Sequence, residues 1–327
     1  MAWTCLVIKP PAFTIRAFEE SDYPALARLW NTVYPTERYS WREIKHEDAA
    51  LPPPCRWERL TAIAGDQLVG CAEYRQRPGM YHPQKFVLYL YVHPDSRRRG
   101  IGSALYKALG ERLEPFDPIS LRVQVSEDRP DAIHFARTRG YAETKRDWQA
   151  VLELTSFDPR SFSELERKLT AAGIGFTTLA EMGNTLEAQR AYYDLFGEVR
   201  QDVPRSEPAS PLEYSQFHRL VFEDPGFTPK GVFLAREDGR LVGLTQLWRS
   251  EASADLYTGL TGVSRSHRGR GIATALKVRA LGAARANGAS RIFTDNDTRN
   301  VEMIAVNDKL GFKRLPALLS MANSLKS

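Results

Sequence analysis

Two short stretches of the chain carry the residue types that grip phosphate. Asp95 to Leu109 reads DSRRRGIGSALYKAL, and Ser266 to Ala280 reads SHRGRGIATALKVRA. In each, arginines and glycines lead straight into a helix-forming run. A turn of this kind exposes backbone N–H groups that have no partner in the following helix, and the positive end of the helix dipole points at the same spot. The product is a seat for a phosphate or pyrophosphate. Neither stretch is a Walker loop, because no Gly-Lys-Ser/Thr follows at the required spacing. Neither is the dinucleotide pattern GxGxxG, because Gly100 and Gly102 are followed by Leu105, and Gly269 and Gly271 by Thr274. Both satisfy Gln/Arg-x-x-Gly-x-Gly/Ala, as Arg97-Gly100-Gly102 and Arg268-Gly271-Ala273.

The elements that must position these turns also come twice. Arg268 follows Arg97 by 171 residues, and the same offset joins Val92 to Val263 and Gly140 to Gly311. Upstream, QLVG ending at Gly70 matches RLVG ending at Gly243, 173 residues on. Four matches in order at a nearly constant offset indicate a duplicated unit. At 327 residues the chain also exceeds one ordinary core. The expected organisation is a first unit over residues 1–155, a linker over 156–174 and a second unit over 175–327.

Each unit reads βαββ-βα-βαβ. FTIRAF and FTTLAEM open the two units as strands. Helices follow, with Tyr23, Leu26, Leu29 and Trp30 on one stripe and Tyr192, Leu195, Phe196 and Val199 on the other. RLTAIAGDQLVGCAEY and GVFLAREDGRLVGLTQLW are hairpins about AGD and EDG turns. KFVLYLYV and ADLYTGLTGV then lead into the phosphate turns. The helices behind the turns bury Leu105, Ala108 and Leu109 in one copy and Leu276, Ala280 and Leu281 in the other. SLRVQV and RIFTDN are further strands, and WQAVLEL closes the first unit as its last strand. A linker helix is expected over Ser161–Ala172, stopped by Gly173. The fold class is α/β, a mixed sheet flanked by helices.

Composition narrows the function. A net charge of +5 with 26% charged residues falls short of a nucleic-acid-binding stripe. Cys5, Cys55 and Cys71 are widely spaced, with no CxxC pair, so neither zinc nor a disulfide framework is expected. The N-terminal run MAWTCLVIKPP is too short for a signal peptide, and no run reaches membrane-spanning length. A cytoplasmic protein with no metal, membrane or nucleic-acid partner is the expectation.

On the turn pattern, in two copies that each follow a strand ending YLYVHP or GLTGVS, the chain resembles the GNAT acyltransferase superfamily. The resemblance covers most of both halves. It implies two tandem GNAT domains, each a mixed, mostly antiparallel sheet, with acetyl-CoA bound at the pyrophosphate loop after the fourth strand. That strand splays from its neighbour and pairs with the pantetheine arm. One of its N–H groups, at Val92 or Val263 by position, holds the thioester oxygen, a contact of about 3 kcal/mol in acyl transfer. The implied cofactor contacts in the second copy are Val263, Arg268, Gly269, Arg270, Gly271, Ile272, Ala273 and Thr274, with Asn296, Asn300 and Asn307 downstream. In the first they are Val92, Arg97, Arg98, Arg99, Gly100, Ile101, Gly102 and Ser103. The implied reaction is direct attack of a neutral amine on the acetyl carbonyl.

The copies differ downstream. The family's late helix carries NxxAxxxYxxxG followed by Phe or Tyr, where the tyrosine can protonate the leaving thiolate. NVEMIAVNDKLGF places Asn300 at the asparagine and Asn307 at the tyrosine. RPDAIHFARTRGY places Arg129 and Ala136 there, and an alanine carries no proton. An amide is no general acid, but it can bond a thiol or order a water. The expectation is therefore an N-acetyltransferase working in the C-terminal copy on a primary amine of a small molecule. Its rivals are a coenzyme A-binding scaffold without catalysis and a pair of active copies. Asp202 is the first candidate for general base, because Pro204 bends the chain just beyond it, and Asp255 and Tyr257 are the next. The acceptor groove is expected from about Leu186 to Pro211, with Tyr192, Tyr193 and Phe196 as core or pocket. His93 and His267 are expected at the surface.

Overall fold

The computed structural model describes residues 13–326, so the apolar N-terminal run and Cys5 lie outside the described residues. The first half runs β1 (Phe13–Ala17), α1 (Tyr23–Val33), α2 (Trp41–Ala50), β2 (Trp57–Ala64), β3 (Gln67–Arg75), β4 (Lys85–Val92), α3 (Ile101–Leu113), β5 (Ser120–Ser126), α4 (Pro130–Arg137) and β6 (Ala142–Glu153). The linker helix α5 (Ser163–Ala171) follows a 3-10 turn over Pro159–Phe162. The second half runs β7 (Gly175–Thr178), α6 (Leu186–Arg200), α7 (Tyr214–Phe217), β8 (Val232–Glu237), β9 (Arg240–Ser250), β10 (Ser253–Val263), α8 (Ile272–Ala286), β11 (Arg291–Asp297), α9 (Val301–Leu310), β12 (Lys313–Arg314) and β13 (Leu318–Ser324).

The repeated LVG has a packing reason. A methyl on Gly70 would meet Ile101 and Leu105 at 3.0 Å, and one on Gly243 would meet Ile272 and Leu276 at 3.1 Å. The missing side chain lets α3 press onto β3 and α8 onto β9, which sets each helix start beside its strand end. Leu105 and Leu276, both fully buried, anchor these contacts. Trimming either to alanine costs about 2–5 kcal/mol.

Helix α2 was not expected, since it carries few apolar residues. A capping box starts it: Glu43 N–H donates to Ser40 Oγ at 3.2 Å and Ser40 N–H donates back to Glu43. Buried charge then holds it to the sheet. Asp48 accepts from Arg59 (2.8 Å), Arg75 (2.6 Å) and the Tyr23 hydroxyl (2.9 Å).

The sheet departs from the expected plan. Its order is β1-β2-β3-β4-β5-β13-β6-β11-β10-β9-β8-β7, continuous across both halves. The last strand of each half belongs to the sheet of the other. β13 lies between β5 and β6, and β6 pairs along β11 from Asp147↔Asp297 to Glu153↔Arg291. WQAVLEL is a strand, then, but it does not close its own unit. The ranges 1–155 and 175–327 do not each enclose a complete sheet.

The two halves also reach over one another. Residues 34–40 after α1 extend to the second half, where the Thr36 carbonyl accepts from the Tyr257 hydroxyl, and Glu37 accepts from Gln149 of β6 at 2.9 Å. Residues 201–213 after α6 extend to the first half. There Glu207 accepts from Lys85 at 3.0 Å and Ser210 N–H donates to the Gly79 carbonyl at 3.0 Å.

Candidate active site

Beside each phosphate turn the sheet opens. β4 and β5 pair in parallel only from Lys85 to Val87, although β4 runs on to Val92. β10 and β11 pair only at Leu256 and Tyr257, although β10 runs on to Val263. The wedge left in each half is lined by unpaired strand. Its N–H directions follow from hydrogen-bond parity. His93 N–H donates to Val69 O at 2.8 Å and Ser264 N–H to Val242 O at 2.9 Å. Because N–H groups alternate sides along a strand, those of Val92 and Val263 turn away from β3 and β9 and into the wedge.

The turns themselves share one geometry. Gly100 (φ 84°) and Gly271 (φ 88°) cap α3 and α8 in the left-handed region, where a side chain is strained. Arg97 Nε donates to the Val92 carbonyl at 3.2 Å, and Arg268 Nε to the Val263 carbonyl at 3.0 Å. The first arginine of each motif thus ties the turn to the strand end. At the next position Gly269 has φ 74°, whereas the first copy places Arg98 at φ 63°.

Charge divides the copies. In the second, Arg265 and Arg268 both bond Asp202, and Arg270 and His267 both bond Glu237. The Arg265 guanidinium, with that of Arg268, holds the Asp202 carboxyl well below the usual carboxylate range. Asp202 is therefore a weak proton acceptor turned toward the loop, an arrangement that does not favour it as general base. His267 is half-buried against Glu237 (Nε2 to Oε2, 2.7 Å) and not simply at the surface. In the first copy, neither Arg98 nor Arg99 forms an ion pair among the described residues, and no atom lies within 4 Å of a methyl placed on Gly100. A methyl on Gly271 would instead meet Leu165 of α5 at 2.8 Å.

At the reacting end the order reverses. β10 carries a bulge between Thr258 and Thr261 that β4 lacks, and bulges re-aim strands beside active sites. Asn307 on α9 is 4% exposed, and its Nδ2 donates to Asn296 Oδ1 at 2.6 Å. Its Oδ1 has no partner among the described residues. Leaving such an acceptor unsatisfied costs about 1–3 kcal/mol, and a ligand N–H or S–H would relieve it. Asn300 is occupied as the α9 cap, accepting from Met303 N–H at 3.3 Å. In the first half Arg129 stands at the α4 cap and donates to the Val33 carbonyl at 3.4 Å, while Ala136 is core. Ser103 there accepts from Arg139 at 3.1 Å.

The remaining candidates are placed as follows. Asp255 forms a two-pronged pair with Arg291 (3.0 and 2.7 Å), and Tyr257 stacks on Phe293 while bonding Thr36. Tyr192 is core, fully buried beside Phe217. Residues 34–40 reach β10 at Tyr257, and α6 of the expected 186–211 segment packs against it nearer the loop, where a methyl on Gly262 would meet Val199 at 2.8 Å. Two residues escaped the sequence reading. Asp295 is solvent-accessible on β11, two residues from Phe293, where the surrounding protein, with Asp147, pushes its carboxyl above the usual range. Lys277 lies buried on α8. Its signal was a lysine on an otherwise apolar stripe with Ala273, Ala280 and Ala284.

The wedge, the free valine N–H groups, the loop arginines and the orphaned Asn307 oxygen fit the pyrophosphate and pantetheine of a coenzyme A thioester. The sequence profile described as the acetyltransferase (GNAT) family matches residues 15–141 and 190–312. The chain belongs to the GNAT family. It is a tandem GNAT enzyme, an acetyl-CoA-dependent N-acetyltransferase, and no described helix is long and apolar enough to cross a membrane. A mycothiol acetyltransferase of Parafrankia sp. (strain EAN1pec) is 27% identical over 94% of this chain and 96% of that protein. One from Thermomonospora curvata is 29% identical over 68% of this chain and 69% of its own. Among solved structures, a tandem GNAT protein from the clavulanic acid biosynthesis pathway superposes with a TM-score of 0.73 at 21% identity, covering 97% of this chain and 99% of the other. A GCN5-related N-acetyltransferase from Sphaerobacter thermophilus gives 0.69 at 20% identity, covering 96% of each. These likenesses match the two-domain plan of mycothiol synthase.

Proposed function

We propose that the C-terminal half of this GNAT enzyme transfers the acetyl group to a primary amine of a small molecule by direct attack. The observation that carries the proposal is the buried Asn307, bonded to half-buried Asn296 and with a free acceptor at the bulged wedge among the described residues. The first half offers buried Ala136 at the position of Asn307. In this reading Val263 N–H bonds the thioester oxygen, Arg268 and the N–H groups from Gly269 to Thr274 hold the pyrophosphate, and Asn307 orients the arm. The acetyl thioester, once bound, supplies the electrophilic carbonyl. The small-molecule acceptor is favoured by the curated relatives, whose name places their activity on such a compound.

The test is calorimetric titration of acetyl-CoA into wild type, Gly102→Trp and Ala273→Trp, with release of free thiol measured across an amine panel. Ala273→Trp is expected to abolish the tighter binding and to lower turnover by at least about 100-fold. If it leaves binding and turnover intact while Gly102→Trp removes them, the first half is the catalytic one.

A further inference from the structure

Lys277 is only 2% exposed. The centre of the Phe312 ring is 5.3 Å from its Nζ, and among the described residues Asp295 is the charge that bears on it. Phe312 is joined to α9, its N–H donating to the Asn307 carbonyl at 3.1 Å. Lys277 therefore faces, from α8, the end of α9 that carries Asn307, whose amide bonds Asn296 of β11 on the same side of the sheet. That end of α9 borders the wedge through Asn296, and Lys277 stands a little more than one helical turn from the start of α8. The matching positions of the first half are Tyr106 and Tyr141, whose hydroxyls lie 3.3 Å apart and satisfy one another. Lys277 has no such partner among the described residues. A buried amine without a carboxylate in contact weakens a fold, and a group in that position has its use where a ligand arrives.

We propose that Lys277 is the catalytic acid of the C-terminal centre, protonating the departing sulfur in place of the hydroxyl that Asn307 cannot supply. This rests on the C-terminal half carrying the transfer. The acceptor nitrogen forms its bond to the carbonyl carbon, and the carbon–sulfur bond breaks with its electron pair left on sulfur. The ammonium proton of Lys277 moves to that sulfur. The surplus proton on the new amide nitrogen leaves to solvent, and the neutral lysine takes a proton from solvent to complete the cycle. Burial, against the weaker opposing pull of Asp295, lowers the Lys277 pKa to about 7. A thiol titrates near pH 8.5, so the transfer runs downhill, and an acid matched to neutral pH is the most effective kind.

The test compares Lys277→Met and Lys277→Arg with wild type in the full chain. Methionine fills the same space without charge, so the variant is expected to melt no lower than wild type. Turnover should fall about 100-fold in both variants while acetyl-CoA affinity stays within about twofold. The second readout is the pH profile of turnover. Its limb near pH 7, set by Lys277 in wild type, should be lost in Lys277→Met. Turnover within about twofold of wild type in Lys277→Met would overturn the proposal, and so would lost turnover with an unchanged pH profile, which assigns Lys277 a structural role. Ala273→Trp runs in parallel. If that substitution spares turnover, the C-terminal assignment fails; if it abolishes turnover while Lys277→Met does not, only the role of Lys277 fails.

Discussion

The loop at residues 97–103 and the loop at residues 268–274 share backbone, caps and the arginine tie to the strand end, yet they differ in charge and in what adjoins them. The first is the open and unneutralised one, with Arg98 and Arg99 free of ion pairs among the described residues. The second has its cations engaged by Asp202 and Glu237, but it alone adjoins a bulged strand and a buried amide pair. On the reading proposed above, affinity for an anion and competence to process its acyl group are separable. The first depends on the turn and its ion pairs, the second on strand and helix residues reached only through the wedge.

The widest break of this comparison is to remove β13. Residues 318–326 hold Leu319 and Met321 at 3% and 1% exposure and bond β5 on one side and β6 on the other. Truncation before Leu318 is expected to abolish cooperative unfolding of both halves, as circular dichroism melting would show. A C-terminal half that melts cooperatively without β13 would mean the halves are independent after all.

A smaller effect separates α8 from α3. Folding lowers the Lys277 pKa to about 7 from an unfolded value near 10.4. Between those values the unfolded chain holds the extra proton, so this residue makes stability rise as pH increases from 7 to 10. Below pH 7 its destabilisation is constant and fully present. Lys277→Met should raise the melting temperature by at least about 2 °C at pH 6 and progressively less toward pH 10. Tyr106→Phe at the matching position should show no such window. A wild-type and methionine pair that melt in parallel across this range would refute the buried-amine account.

The smallest effect sharpens the loop comparison most. Asp202→Asn should free Arg265 and Arg268 and so make the second loop resemble the first. Acetyl-CoA binding is expected to tighten about threefold, with a steeper loss in salt, by calorimetry at two ionic strengths. Weaker binding would show that Asp202 shapes the loop and does not compete with the ligand.

The turns, the helices behind them and the hairpins were legible in the sequence because each is a local matter. Arg97-Gly100-Gly102 and Arg268-Gly271-Ala273 need only neighbours within a few residues to make a strand, a left-handed cap and a helix start. The duplication was legible for the same reason, and so was the loss at Ala136. Helix α2 was less so, since buried charge (Asp48 with Arg59 and Arg75) replaces the apolar stripe that periodicity detects.

What the tertiary structure alone decided are the long-range pairings. A strand such as β6 specifies its faces by alternation but not its neighbour, so nothing local says that it joins β11 while β13 crosses to β5. Asp202 marks a bend in the sequence, and only folding brings it onto Arg265 and Arg268. Lys277 is one more lysine in a helix until α9 and β11 close around it. Spacing along the chain determines which groups a turn can offer; the packing of distant elements determines their charge, their exposure and hence their chemistry.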